Sequence, residues 1–391
     1  MSETQKFLVA ALIVKNEESV LAECLESIKQ VTCNIVVLDT GSTDSTVEIA
    51  RAAGARVGHF DWINDFAAAR NASFDLAAKE FPEHTHVLWM DADDILRPED
   101  AKKLNELLAS TDYDAYLLQY AYSHDERGQP VDLFPRERIV RRACGFKWMG
   151  FVHEVISLDN TTNVFTSRDI TIHHRRQEQE GSRERHVARN LSIYQINLER
   201  IGGVDELSTR DAFYYAKEIR GSDDELSERL YRSFVSRADV WWEDLAYAYW
   251  QLALLAIDRR QDRQEALELA FKSVSVKHTM AEAYCLIGLL YVERQQWNVA
   301  AHWYENAAKC ESMRDENVWG IRSLSDYTWV PHLQLALCYG NMGMIDKAYE
   351  HNEIAYGFRP QDDRIQHNKK FFEEHPQKTR TAVKHPTNAT E

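Results

Sequence analysis

Three short apolar runs in the first hundred residues, Phe7–Val14, Asn34–Leu38 and Val87–Met90, each stop abruptly at a polar cluster, with amphipathic stretches between them. A run of four to eight apolar residues bounded by turn chemistry reads as a strand buried on both faces. Helical patterns over about 18–30, 44–53 and 65–80, with a further short strand near 55–59, alternate with these runs. Strands alternating with helices build right-handed βαβ units, so the chain is confined to an α/β domain with a mostly parallel sheet. Ligands of such sheets sit beyond the carboxyl ends of the strands. Those ends carry Lys15-Asn16-Glu17, the stretch Asp39 to Asp44, and Asp91-Ala92-Asp93-Asp94, so the polar residues collect where that rule puts a site.

After about residue 205 the pattern changes: Ala, Leu, Glu, Tyr and Trp dominate and proline is nearly absent until Pro331. Pairing Ala266 with Ala300 gives an offset of 300 − 266 = 34, which also pairs Trp250 with Tyr284 and Ala253 with Ile287. That is the tetratricopeptide period. Tyr284, Ile287, Gly288, Tyr291, Ala300, Tyr304 and Ala307 fall where such a repeat wants aromatic, apolar and small residues. A third unit matches through Leu335, Ala336, Tyr339, Ala348, Ala355 and Pro360, displaced by 348 − 300 = 48 residues, which implies a 14-residue insertion over about 312–328. The expected organisation is an α/β domain with a mostly parallel sheet over 1–204, an all-α tetratricopeptide-like domain over 205–376 and a polar, disordered tail over 377–391. A chain of 391 residues with 44% hydrophobic content can build two such cores.

The 46 basic against 62 acidic residues give a net charge of −16, which weakens general attraction to nucleic acid or anionic membrane; a polyanionic partner would need a local basic groove. The six cysteines (Cys24, Cys33, Cys144, Cys285, Cys310, Cys338) form no CxxC pair and no secreted disulfide framework, which fits a reducing cytoplasm. The eight-residue run Phe7–Val14 follows one lysine and ends in charged Lys15-Asn16-Glu17-Glu18 without a small-residue cleavage pattern, so it reads as a buried strand, and nothing approaches the roughly twenty apolar residues of a membrane span. A soluble, cytoplasmic protein is expected.

The chemistry concentrates at Asp91, Asp93 and Asp94. Carboxylates two residues apart beyond a strand end can share one hard cation, which neutralises a pyrophosphate as it departs. The alternative is a solvated acidic turn in which Asp94 caps a helix over about 98–109. Asp39 likewise either serves a ligand or terminates its strand, with Gly41 turning the chain and Ser42 or Asp44 capping the next helix. Arg70 either binds phosphate bidentately or pairs with Asp75 on a helix surface.

Four motifs stand in order: Lys15-Asn16-Glu17-Glu18, Leu38-Asp39-Thr40-Gly41-Ser42-Thr43-Asp44, Trp62 through Ala67-Ala68-Ala69-Arg70-Asn71, and Asp91-Ala92-Asp93. Over about residues 6–200 the chain resembles the family 2 inverting glycosyltransferases of the A-type fold. The resemblance implies a UDP-sugar donor and a Mn²⁺ or Mg²⁺ ion. It places Asp39 at the uracil or ribose, Asn16 and Glu17 in the nucleotide pocket, Arg70 at the pyrophosphate or sugar, and Asp91 and Asp93 at the ribose and the cation. Phe146 to Glu154 resembles the Gly-x-x-His-Glu segment of that family, which makes Glu154, with His153 beside it, the candidate base that deprotonates the acceptor. The strand Asp169–His174 resembles one ending in a metal-proximal histidine; His174 is taken as the ligand, with His173 as its competitor.

Arg136, Arg138, Arg141, Arg142, Arg175, Arg176, Arg183, Arg185 and Arg189 form the only dense basic region, suited to donor phosphates, an anionic acceptor or the balancing of local acids. A catalytic domain followed by a tetratricopeptide-like array resembles the bacterial peptide S- and O-glycosyltransferases. That implies a hexose or N-acetylhexosamine moved to a peptide or protein side chain, with the helical domain pairing subunits into a homodimer or holding the acceptor. A cell-envelope glycan, or modified bases of phage DNA, are the alternative acceptors; a non-catalytic repeat scaffold is the third reading.

Overall fold

The computed structural model describes residues 7–124, 130–158, 161–175, 182–238, 240–310 and 323–374. The expected tail over 377–391 lies outside them. The chain divides into two compact units, Met1–Glu218 and Ile219–Glu391. That division falls later than residue 204, because Asp211 and Glu218 hydrogen-bond to the backbone N–H of Phe151 and the ring of His153 in the first unit.

The first unit runs β1 (Leu8–Val14), α1 (Leu21–Ile28), β2 (Ile35–Asp39), α2 (Thr46–Ala52), β3 (Arg56–His59), α3 (Phe66–Glu80), β4 (His86–Trp89), β5 (Asp94–Leu96) and α4 (Pro98–Ser110). It continues with β6 (Ala115–His124), β7 (Pro130–Arg141), β8 (Trp148–Met149), β9 (Val155–Ile156), β10 (Val164–His174), α5 (Ser182–Ile201) and α6 (Thr209–Glu218). An eight-stranded sheet has the order β3-β2-β1-β4-β7-β6-β10-β5. Its β3-β2-β1-β4 half is parallel, β6 pairs parallel with β10, and β7 and β5 run against their neighbours.

The unbroken apolar runs are explained by burial on both faces. Leu8, Ala10, Leu12 and Val14 of β1 pack in one core with Leu21, Leu25 and Ile28 of α1, while Val9 and Ala11 pack with Ala77 and Phe74 of α3 on the other side. The order reverses at β1, where the chain first builds outward to β3 and then returns to β4, so the crevice beyond the strand ends opens there. Three features were not foreseen: the β6–β7 hairpin, the small β8–β9 hairpin, and β5 directly after the acidic turn. Asp94 therefore does not cap the helix. It is fully buried in β5, and α4 starts from Arg97 with Pro98 in its first turn.

The second unit is all helical: α7 (Asp224–Val235), α8 (Trp242–Arg260), α9 (Arg263–Val276), α10 (Ala281–Glu293), α11 (Trp297–Lys309), α12 (Leu324–Tyr327), α13 (Trp329–Asn341), α14 (Ile345–Phe358) and α15 (Asp363–Glu374). The pairs α8/α9, α10/α11 and α13/α14 are the three tetratricopeptide-like units, and the equivalent Ala266, Ala300 and Ala348 are all fully buried. The insertion reaches α12, where Tyr327 donates to the Thr279 carbonyl at 3.0 Å and the Ser323 N–H to Glu282 at 2.7 Å. Residues 311–322 of it lie outside the described residues. No helix among the described residues is long and apolar enough to cross a membrane.

Gly288 of α10 sits where a side chain has no room: a Cβ there would lie 2.8 Å from the Tyr304 ring of α11. Gly288→Ala is expected to lower stability by about 1–3 kcal/mol in denaturant unfolding, because a buried ring must move. An unchanged midpoint would contradict the repeat register.

Candidate functional site

At the end of β4 the chain turns through Asp91, Ala92 and Asp93 into β5. The turn is closed by two bonds: the Asp94 N–H donates to the Asp91 carbonyl at 3.1 Å, and the Asp91 N–H donates to Asp94 Oδ2 at 3.0 Å. Asp94 lies directly opposite His174 in the antiparallel β5–β10 register, whereas His173 lies opposite Ile95. Residues directly opposite project to the same face, so the pairing brings His174, not His173, to the acids. His174 Nδ1 is 3.5 Å from Asp93 Oδ1, 3.6 Å from Asp94 Oδ1 and 3.1 Å from the Tyr120 hydroxyl, and the Tyr122 ring stacks on it at 5.3 Å. Burial favours the neutral imidazole, but Asp94, Asp93 and Asp91 outweigh it and raise its pKa.

Asp93, Asp94 and His174 present ligand atoms within 4.8 Å of one another. Asp94 Oδ1 is buried without a hydrogen bond among the described residues. Two carboxylates, one of them with a buried oxygen that makes no hydrogen bond among the described residues, and an imidazole suit a Mn²⁺ or Mg²⁺ ion. The structure groups Asp94 with Asp93 and His174, while the carboxylate of Asp91, the other expected ligand, is engaged elsewhere.

That engagement is with Arg70. Its buried guanidinium donates to Asp91 Oδ1 at 2.7 Å through Nη2 and to Glu154 Oε1 at 2.6 Å through Nε. The Trp89 and Trp148 rings lie 4.7 and 4.8 Å from its centre. Burial works against Asp91 ionising, but Arg70, Arg138 and Arg136 reverse that and hold its pKa at about 2. Glu154 is lowered in the same way, burial being outweighed chiefly by Arg70. Arg70 is thus not a surface residue: its guanidinium is buried and holds two acids.

The neighbouring Asn71 explains how Glu154 arrives there from 84 residues away. Its amide donates to the Trp148 carbonyl and accepts from the Trp148 N–H, both at 3.0 Å, fastening the β8–β9 hairpin to α3. The Phe66 N–H adds a bond to the Phe151 carbonyl at 3.0 Å. His153, with a left-handed φ of 54°, points away from this group. Its Nε2 is 2.7 Å from Glu218 Oε1 and its ring stacks on Tyr214, so the structure does not bring it to Glu154 or Asp91.

Asp39 ends β2 and accepts from the Gly41 and Ser42 N–H groups at 3.2 and 3.0 Å. Burial raises its pKa, but bonds from Ser42, Gly41 and His59 outweigh it and the net shift is downward. Asn16, at φ 56°, accepts from the Thr43 N–H at 2.8 Å, and the Glu17 N–H donates to Thr46 Oγ1 at 2.7 Å. These bonds tie the loop after β1 to the loop after β2. The Asn16 side-chain oxygen is therefore occupied in joining these loops, while Glu17 beside it is half-buried.

Much of the arginine-rich region balances acids. Arg138 pairs with Asp94, Arg141 with Asp112 and Asp114, and Arg175 with Glu23. Arg176 lies outside the described residues. Sequence reasoning did not single out Trp89, Trp148 or the separate role of Arg138, because each acts across the sheet on partners about fifty or more residues away and no local spacing announces it.

Residues 10–158 match the family model described as glycosyl transferase family 2. An uncharacterised glycosyltransferase of Rickettsia conorii is 33% identical over 167 residues, 42% of this chain and 56% of that protein. The SPbeta prophage-derived glycosyltransferase SunS of Bacillus subtilis is 32% identical over 99 residues, 25% of this chain and 22% of its own. A TPR repeat-containing protein of Synechococcus elongatus is 42% identical over 85 residues, 22% of this chain and 20% of its own. The chain thus spans from about a fifth to just over half the length of these relatives. The chain carries a glycosyltransferase family 2 domain together with a tetratricopeptide-like helical region.

Removing Arg70 would leave Asp91 and Glu154 facing each other without their shared cation. Arg70→Met is expected to destabilise the protein by about 3–5 kcal/mol, measured by denaturant unfolding. A loss below about 1 kcal/mol would show that the two carboxylates are held by something else.

Proposed function

We propose that this protein is an inverting glycosyltransferase that moves a hexose or N-acetylhexosamine from a UDP-sugar to a peptide or protein side chain. The observation that carries the reading is the convergence of the acidic turn, His174 and Glu154 at the strand ends of a family 2 domain. Asp93, Asp94 and His174 would hold a Mn²⁺ or Mg²⁺ ion, which, when bound, neutralises charge on the donor diphosphate. Asp39, kept ionised by two backbone N–H groups, accepts hydrogen bonds from uracil or ribose, with Asn16 and Glu17 shaping that wall. Asp91, oriented by Arg70, faces the ribose.

Glu154 is the acceptor's base. Arg70 engages its Oε1, which leaves Oε2 to take the acceptor proton as the nucleophile attacks the anomeric carbon opposite the diphosphate. The ion pair fixes the carboxylate in place and lowers its basicity, so this base contributes orientation more than proton affinity. His153 supports the hairpin through Glu218 rather than the proton transfer. The peptide acceptor is supported by the order of the two domains; Arg138, Arg141 and Arg175 of the basic region are held by acids, which weakens the DNA alternative.

The test pairs Glu154→Gln with His153→Gln, using mass spectrometry of products from a panel of nucleotide sugars and peptide acceptors. Glu154→Gln is expected to keep UDP affinity within a few-fold while transfer falls by about 10²–10⁴, and His153→Gln to lose far less. Transfer surviving in Glu154→Gln and lost in His153→Gln would reverse the assignment.

A further inference from the structure

Among the described residues of the arginine-rich region, Arg138 is the one whose side chain is entirely buried, and it lies beneath the acidic turn. From β7 its Nη1 donates to Asp94 Oδ2 at 2.8 Å. The guanidinium lies between two rings, 4.0 Å from the centre of Trp89 and 4.3 Å from that of Tyr120. Trp89 is fixed in turn by a bond from its indole N–H to the Glu137 carbonyl. Arg138 Nε and Nη2 make no hydrogen bond among the described residues. A guanidinium held this way cannot reach a donor or an acceptor; it acts on what Asp94 presents.

We propose that Arg138 is the positioning residue of the acidic group: by occupying Asp94 Oδ2 from below, it turns Oδ1 toward Asp93 and His174 and so builds the cation-binding face. This inference rests on the reading of Asp93, Asp94 and His174 as cation ligands. The Asp94 carboxylate has two constraints on one oxygen, from Arg138 and from the Asp91 N–H, and a single orientation satisfies both. The other oxygen is then left buried and without a hydrogen bond, 3.6 Å from His174 Nδ1. An orphaned buried carboxylate oxygen is costly unless something binds it. Arg138 also supplies the positive charge that lets Asp94 occupy a wholly buried position, which an ammonium on a flexible stem would not do in the same geometry.

The experiment uses the full chain and two measurements. In EDTA, melting is compared for the wild type, Arg138→Met, Asp94→Asn and the double variant. Arg138→Met is expected to lower Tm by about 10 °C, and Asp94→Asn in that background to recover much of the loss, because the unpaired buried carboxylate is gone. No recovery in the double variant would overturn the pairing. Mn²⁺ alone is then titrated calorimetrically into the wild type and Arg138→Lys. Affinity at least about fivefold weaker in Arg138→Lys, with a folded protein by circular dichroism, supports the positioning role. Equal affinity would overturn it. A wild type that takes up no Mn²⁺ would instead overturn the cation reading, a result distinct from either.

Discussion

Asp91, Asp93, Asp94 and Glu154 gather in one largely buried region, and like charges taken out of water repel strongly unless cations stand among them. Arg70 and Arg138 are those cations. Each is buried, each bonds one or two of the acids, and each lies against the indole of Trp89. The acids in turn hold the arginines charged. A reader of the chain meets this as separate features on β4, α3, β7 and the β8–β9 hairpin; physically it is one network, and the site exists only when all of those elements have docked.

The fold supplies that docking in a definite order of dependence. The parallel half of the sheet is held by apolar burial on both faces and needs no ligand chemistry. It fixes the ends of β1, β2 and β4, and with them Asn16, Asp39 and Asp91. The mixed half then adds what the parallel half lacks: β7 brings Arg138, β10 brings His174, and the hairpin fastened by Asn71 brings Glu154. Side chains from distant segments thus meet over a core whose stability is set elsewhere.

The parallel strands were legible because runs such as Leu8–Val14 are apolar without alternation, and the repeats because Ala266, Ala300 and Ala348 mark buried crossings at a detectable offset. Motif context singled out Asp93 and His174, which the structure brings to 3.5 Å from each other. Asp94 figured in the sequence only as the cap of the alternative reading and was not among the expected ligands, since nothing local shows that the chain enters a strand there and meets His174 across it. The bonds of Arg70 to Asp91 and Glu154 were not legible, because partners at 21 and 84 residues separation cannot be inferred from helix spacing. His153 shared its motif with Glu154, yet a left-handed backbone at that residue sends the two side chains to different partners. Contacts within an element follow from periodicity; contacts between elements depend on registers that one sequence does not display.

The account stands on Asp93, Asp94 and His174 forming a cation site that serves a nucleotide diphosphate. Crystals grown with Mn²⁺ and UDP, measured at the manganese absorption edge, test it directly. The account predicts an anomalous peak in contact with Asp93, Asp94 and His174, with Asp91 still bonded to Arg70 and the diphosphate against the same ion. A peak seated on Asp91, or UDP bound at Asp39 with no cation beside the turn, would contradict it.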